Sequence, residues 1–449
     1  MTAQNRVQQM LHAPLLPTLL QLATPNVMGL FATTVVIGYD GYILGRVGAD
    51  ALAGIALVFP LSMLMLQMSA GGIGGATTAA VARALGAGRH EDASRLAQQA
   101  LLIAALLAVL FMVALLGFGR GIFSGMGGRG AALGAALAYA QVLFGGAAVI
   151  WFTNVLAAVV RGAGNMLLPS LLLLGTALLH LALAPLLVFG WGPLPGMGVG
   201  GAAASTLAVN ALSALVMVAY LLRPQGVVNL RRTAWLPRAA LWRDILRVGL
   251  PASLSPVISN ASIAVATGFV GHYGTAALAG YGVAARLEYI LVPIAFGFGT
   301  ALTAMVATNM GAGQSARAVR VAWLGGGVVA AITGTIGVVT AIAPGLWMNL
   351  FTQDAEVLGV GAPYLRIVGG CYAFFGLGLA LFFASQGAGR MLWPLTASMG
   401  RLVVLVVGGW LCVHVFETSA TALFAVIAFS LVVYGSTLAI AIRMGSWTR

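Results

Sequence analysis

Residues 100–119 read ALLIAALLAVLFMVALLGFG, twenty positions without a polar side chain, bounded by Gln98-Gln99 and by Arg120. A helix needs about 20 apolar residues to cross a bilayer, so this stretch settles the solvent for which the chain is written. Outward from it, runs of the same kind fill almost the whole sequence. They lie at 14–44, 51–80, 97–119, 132–160, 167–191 and 197–222, then at 244–270, 276–306, 319–345, 357–385, 391–415 and 418–443. An all-α membrane protein of twelve transmembrane helices is expected. Composition agrees: 7% of the 449 residues are charged and 61% hydrophobic, against about 25% charged in a soluble domain.

The formal charge of +13 invites a nucleic-acid reading, but its distribution argues against one. All 22 basic residues are arginine, and most fall in alternate loops, as the positive-inside rule requires of cytoplasmic segments. That set holds Arg6, Arg83, Arg89, Arg95, Arg161, Arg223, Arg231, Arg232, Arg238, Arg243, Arg247, Arg317, Arg320, Arg390, Arg443 and Arg449. The opposite loops hold only Arg46, Arg120 and Arg129, beside Asp50, Asp354, Glu356 and Glu417. An even span count then puts both termini in the cytoplasm of a bacterial inner-membrane protein. The first apolar run follows Arg6 without a short cleavable core and reads as a retained helix. Cys371 and Cys412 sit in apolar runs without metal-ligand spacing, as small buried hydrophobes. No metal or other cofactor is implied.

The sequence repeats. A shift of 226 places Pro25 on Pro251, Gly45 on Gly271, and Ala51-Leu52-Ala53-Gly54 on Ala277-Leu278-Ala279-Gly280. After a one-residue slip, a shift of 225 places Gly86-Ala87-Gly88 on Gly311-Ala312-Gly313, Tyr139 on Tyr364, Gly162-Ala163-Gly164 on Gly387-Ala388-Gly389, and Pro169 on Pro394. The polar stretch 223–243 reads as a cytoplasmic linker between an N-terminal six-helix bundle, 1–222, and a C-terminal one, 244–449. Two six-span repeats should run parallel around a central cleft, the arrangement alternating access requires. Pro25 and Pro251 would interrupt the first helix of each bundle and serve as structural hinges or static kinks. Gly71-Gly72-Ile73-Gly74-Gly75 lies inside a span with no strand before it and reads as helix packing rather than a nucleotide loop.

These paired landmarks resemble the MATE (multidrug and toxic compound extrusion) family of the MOP flippase superfamily. Asp40-Gly41-Tyr42-Ile43-Leu44-Gly45 followed by Ala51-Leu52-Ala53-Gly54 is similar to its first-helix signature. Gly86-Ala87-Gly88-Arg89, Ala285-Arg286-Leu287-Glu288 and Asn309-Met310-Gly311-Ala312-Gly313 resemble its loop patterns, as do Tyr364-Leu365-Arg366-Ile367 and Arg161-Gly162-Ala163-Gly164. The resemblance implies export of bulky, often cationic compounds driven by inward proton or sodium flow.

Of nine acids, only Asp40 and Glu288 fall well inside spans, where an acid costs about 2.5–3.5 kcal/mol on insertion scales. Asp40 has no base near it in sequence and matches the family's first-helix acid, so it is expected to couple cation flow. Where relatives carry Asn, three residues, then Asp-Pro, this chain reads His180-Leu181-Ala182-Leu183-Ala184-Pro185. The second carboxylate is replaced by Ala184, and His180, one turn earlier, is either a helper for Asp40 or hydrogen-bonded packing. Glu288 has Arg286 two residues away, with Arg366 and Arg401 also inside spans. It reads as a structural ion pair or as a second substrate or coupling site. Candidate substrate-lining residues are Tyr139, Asn154, Thr206, Asn210, Glu288 and Arg286. The repeat of Asp40 is Ala266, and span 357–385 holds no acid, which favours protons over sodium.

The expected partners are small organic cations or other amphipathic drugs, a proton and the bilayer, with the chain working as a monomer. A lipid-linked oligosaccharide flippase of the same plan is the nearest rival and would need a strongly cationic cavity. An intramembrane enzyme would need convergent ligands or nucleophiles, which His12, His90, His180, His272 and His414, scattered in sequence, do not supply.

Overall fold

The computed structural model describes residues 3–192, 194–231 and 235–447. Arg232 and Arg449 lie outside them. Among the described residues eleven helices are each long and apolar enough to span a membrane, and a bent pair supplies the twelfth. In chain order they are α1 (Leu15–Val47), α2 (Ala49–Gly86), α3 (His90–Gly125), α4 (Gly130–Gly145 with Ala147–Gly162, meeting at 48°), α5 (Leu167–Phe189) and α6 (Val199–Leu221). Then follow α7 (Ala239–Gly271), α8 (Thr275–Gly311), α9 (Ser315–Ile342), α10 (Ala355–Ala388), α11 (Leu392–Val415) and α12 (Ala420–Arg443). The protein is a twelve-helix membrane protein, as its apolar runs require. The helix α3 begins at His90 rather than 97 because a charged turn extends it past the apolar run. Glu91 and Asp92 lie in that first turn, where acids suit the helix dipole, and Arg95 pairs with both.

On α3, Leu106, Val109, Leu110 and Val113 are half or more exposed. Their spacing of three and four residues puts an apolar stripe on one helix face, a surface that lipid rather than water covers.

Pro25 and Pro251 do not interrupt their helices. Each sits inside a continuous helix of 33 residues, and α7 carries Pro256 as well. A membrane helix can lose a proline's backbone donor without breaking. The interruptions lie elsewhere. A π-helical stretch, Gln67–Ile73, runs into the glycine cluster of α2, Arg286-Leu287 forms a turn in α8, Gly369–Cys371 is a single 3-10 turn in α10, and Leu411–Val415 is π-helical at the end of α11.

The chain forms two compact units that part near the prolines rather than at the linker. The first comprises Met1–His12 and Thr24–Leu250, and the second Ala13–Ala23 and Pro251–Arg449. The division at 223–243 read from sequence is thereby displaced, and its cause is hydrogen bonding. The buried side chains of Ser94, Gln98 and Gln99 on α3 staple the linker to the first unit. Ser94 Oγ accepts from Asn229 N at 3.0 Å, Gln98 Nε2 donates to Leu230 O at 2.9 Å, and Gln99 Nε2 donates to Leu236 O at 2.9 Å. Gln99 Oε1 also accepts from Arg238 N and, at 2.7 Å, from Trp242 Nε1. The Arg317 guanidinium on α9 donates to Ala13 O and holds the start of α1 in the second unit.

The internal repeat is visible atom by atom. In the first unit Thr78 Oγ1 on α2 donates to Ala158 O on α4 at 2.9 Å; in the second, Thr303 Oγ1 on α8 donates to Phe383 O on α10 at 2.9 Å. A Cβ added at Gly54 would lie 2.7 Å from Ala136 N, and one added at Gly280 would lie 3.0 Å from Gly361 N. These partners are 225 or 226 residues apart, so both units use the same close helix approach at a glycine.

Candidate functional site

In the first unit, α1, α5 and α6 meet around Ile43, Leu44, Val188 and Ala202, with Tyr39 and Tyr139 packed against that cluster. Tyr39 OH donates to Leu181 O at 3.0 Å and ties α1 to the middle of α5. That register brings together two groups 140 residues apart in sequence: His180 Nε2 and Asp40 Oδ1 lie 2.8 Å apart. The His180 side chain is 2% exposed and that of Asp40 21%. Asp40, with no base between Phe31 and Leu44 in sequence, therefore has one across the helix interface. On the other side of the ring, Ser205 Oγ on α6 lies 3.0 Å from His180 Nδ1, and Ser205 is fully buried. Every ring nitrogen is engaged. An ionised Asp40 accepts from Nε2–H, which leaves Nδ1 to accept the Ser205 hydroxyl.

Of the other residues singled out from sequence, Tyr139 is close enough to feel the Asp40 charge. The side chain of Asn154 joins two helices, whereas those of Thr206 and Asn210 bond within their own helix. Asn154 Nδ2 donates to Ser69 Oγ at 2.8 Å, joining α4 to the π-helical stretch of α2. Thr206 Oγ1 bonds Ala202 O within its own helix, Asn210 Nδ2 bonds Thr206 O, and Asn210 O accepts from Thr153 Oγ1 at 2.9 Å. Ser205 escaped the sequence reading, which settled on its neighbour Thr206; only the rotation of α6 about its axis separates them.

The second unit lacks the pair. Ala266 stands at the repeat of Asp40, and Leu405 stands 225 residues from His180. Both are buried in one apolar cluster with Tyr364 and Phe375. Its acid is Glu288, half-buried at the turn of α8, where Tyr364 OH donates to Oε1 at 3.1 Å. Among the described residues Glu288 forms no salt bridge with Arg286, Arg366 or Arg401, the cations weighed as its partners. The Arg286 guanidinium lies over the Phe351 ring at 5.6 Å. Arg401, buried on α11, acts on Glu288 electrostatically and lies 5.8 Å over the Phe375 ring. Arg366 is exposed. Tyr139 and Tyr364, which repeat each other, thus each accompany a carboxylate, but the two acids come from different repeat positions.

His272 and His414, distant in sequence, meet at the ends of α7 and α11 with ring centroids 5.9 Å apart. Among the described residues no three His, Cys, Asp or Glu side chains form a group that could hold a metal.

Twelve apolar helices in two like halves, with one half holding a buried His–carboxylate pair, define a polytopic membrane protein of the transporter class. The chain belongs to the MatE family: its model matches residues 25–186 and again 251–411, two matches whose ends are offset by the repeat itself. Among similar proteins, a "FAD transporter" of Shewanella oneidensis is 26% identical over 401 residues, 88% of each chain. The "Probable multidrug resistance protein YoeA" of Bacillus subtilis is 27% identical over 364 residues, 79% of this chain and 78% of its own. Among solved structures, a MATE protein in a straight conformation aligns with a TM-score of 0.88 at 24% identity over 98% of both chains. A MOP superfamily transporter from Pyrococcus furiosus aligns with a TM-score of 0.87 at 24% identity and the same coverage.

Proposed function

We propose that the protein is a secondary-active exporter of bulky, often cationic compounds, driven by inward proton flow, in the bacterial cytoplasmic membrane with both termini in the cytoplasm. The observation that carries this reading is the Asp40–His180 pair. Without an added proton the pair bears one negative charge and attracts an organic cation, aided by the aromatic face of Tyr139. With one proton more it is neutral and releases the cation. Proton and substrate then compete for one site, and each favours a different state of the transporter. An intramembrane histidine beside a carboxylate is suited to this, because the imidazole changes charge near neutral pH. The apolar Ala266 and Leu405 at the repeated positions support a site in the first unit. That Arg286 and Arg401 each lie over a phenylalanine ring favours this reading over a pyrophosphate-binding flippase.

Purified protein in liposomes, with proton and sodium gradients imposed independently, tests the reading. A proton gradient alone should drive uptake of a cationic dye in the export direction, and Asp40→Asn should abolish it while the protein stays folded. Dye transport by Asp40→Asn at the wild-type rate, or drive by sodium alone, would sink the mechanism. The likeness to a FAD transporter supports a second reading, export of flavin dinucleotide. The same liposomes loaded with FAD decide between them by flavin fluorescence.

A further inference from the structure

We infer that the coupling proton is taken up at Nδ1 of His180, and that Ser205 is the positioning residue that reverses its hydrogen bond when the proton arrives. The inference rests on the proton-coupled reading of the Asp40–His180 pair and specifies which atom of that pair titrates. One proton already occupies the bridge between Nε2 and Asp40 Oδ1, 2.8 Å apart, wherever along that bridge it sits. A second proton has two places to go, His180 Nδ1 or Asp40 Oδ2.

The surroundings of the two atoms differ. Nδ1 faces Ser205 Oγ at 3.0 Å, and a hydroxyl both donates and accepts. When Nδ1 is bare, the Ser205 O–H donates to it. When Nδ1 carries hydrogen, its N–H donates to the same oxygen. The hydroxyl hydrogen then turns towards a carbonyl one turn back, the usual partner of a helical serine. Both states are satisfied without moving a heavy atom, which a histidine 2% exposed requires. Asp40 Oδ2 accepts no protein hydrogen bond among the described residues, its contact being through Oδ1, so no side chain there is placed to reorient around a proton. The titratable groups around the ring are Asp40 and Tyr39 on α1 and Tyr139 on α4, and Tyr39 is committed to Leu181 O. Asp40 is the only ion-pair partner of the ring among the described residues.

The step balances without a co-reactant. A proton from the aqueous side adds to Nδ1, the pair passes from one negative charge to none, and loss of that proton restores the starting state.

A hydrogen bond from a charged donor is stronger than its neutral counterpart, so Ser205 stabilises the protonated pair more than the deprotonated one. Ser205→Ala should therefore move the midpoint of the pH profile of proton-driven dye export down by roughly half to one pH unit. Ser205→Thr, which keeps the hydroxyl, should restore it. An unchanged or raised midpoint in Ser205→Ala would overturn the inference and place the proton on Oδ2. Histidine-labelled wild-type protein provides a readout independent of transport. The Nδ1 resonance of His180, assigned by its loss in His180→Gln, should titrate through the protonation step, and an Nδ1 signal that stays still would also overturn it. A wild type that shows no proton-driven export but a titrating Nδ1 would defeat the function proposed above and leave this assignment standing.

Discussion

Two acids stand well inside the apolar spans of this chain, away from the helix ends, and their neighbours give them different duties. Asp40 faces an ionisable ring, so its charge can be switched by one proton. Glu288 faces a tyrosine hydroxyl and, farther off, the fixed charge of Arg401. Glu288→Gln keeps an oxygen to accept from Tyr364 and removes only the charge opposite a buried arginine. A loss of about 1–2 kcal/mol is expected, below the ~3–5 kcal/mol of breaking a direct buried pair, with proton coupling retained. Thermal unfolding in detergent beside liposome transport checks it; a fully stable but transport-dead variant would draw Glu288 into the mechanism. The sequence showed which carboxylates were unusual, because an acid within an apolar run is rare whatever the fold. It could not show that His180 reaches Asp40, nor that Arg286 turns to Phe351, because both depend on how each helix is rotated about its axis.

At the scale of the helix, close approach at glycine recurs in both halves. Valine at position 54 would drive its side chain into the backbone of α4, and valine at 280 into that of α10. Each substitution is expected to destabilise by about 1–3 kcal/mol, the cost of overpacking, read as a lower unfolding temperature in detergent. Gly38→Ala on α1 is the control: a Cβ there meets nothing within 4 Å, and alanine should raise helix stability by up to about 1 kcal/mol. Equal tolerance at all three positions would mean that the glycines do not set helix spacing. The spans and their repeat were legible because apolar run length and landmark residues survive in one dimension. The π-helical stretches and the 48° bend of α4 were not, since a backbone's choice between neighbouring hydrogen-bond registers leaves little trace in composition.

For the molecule as a whole, the linker belongs to the first unit. Gln99 alone joins Leu236, Arg238 and Trp242, so Gln99→Ala leaves three polar groups to find water. The segment should loosen by about 1–3 kcal/mol and become the first site cut by a protease in limited proteolysis. A cleavage pattern identical to wild type would show that packing, not this glutamine, holds it. The sequence reading made the polar linker the boundary because composition changes there. Its buried anchors, Gln98 and Gln99, border the apolar run that opened the reading, and nothing in one dimension said which residues they held.

That Ala266 and Leu405 stand at the repeats of Asp40 and His180 has a consequence for descent. After a duplication, each copy drifts wherever drift is tolerated, but a histidine 2% exposed cannot easily outlive its counter-ion. An aspartate still 21% exposed can keep some water and persist alone. Loss should therefore be ordered, histidine before or together with acid. Lineages carrying histidine at position 180 should be nested within those carrying an acid at position 40, never the reverse.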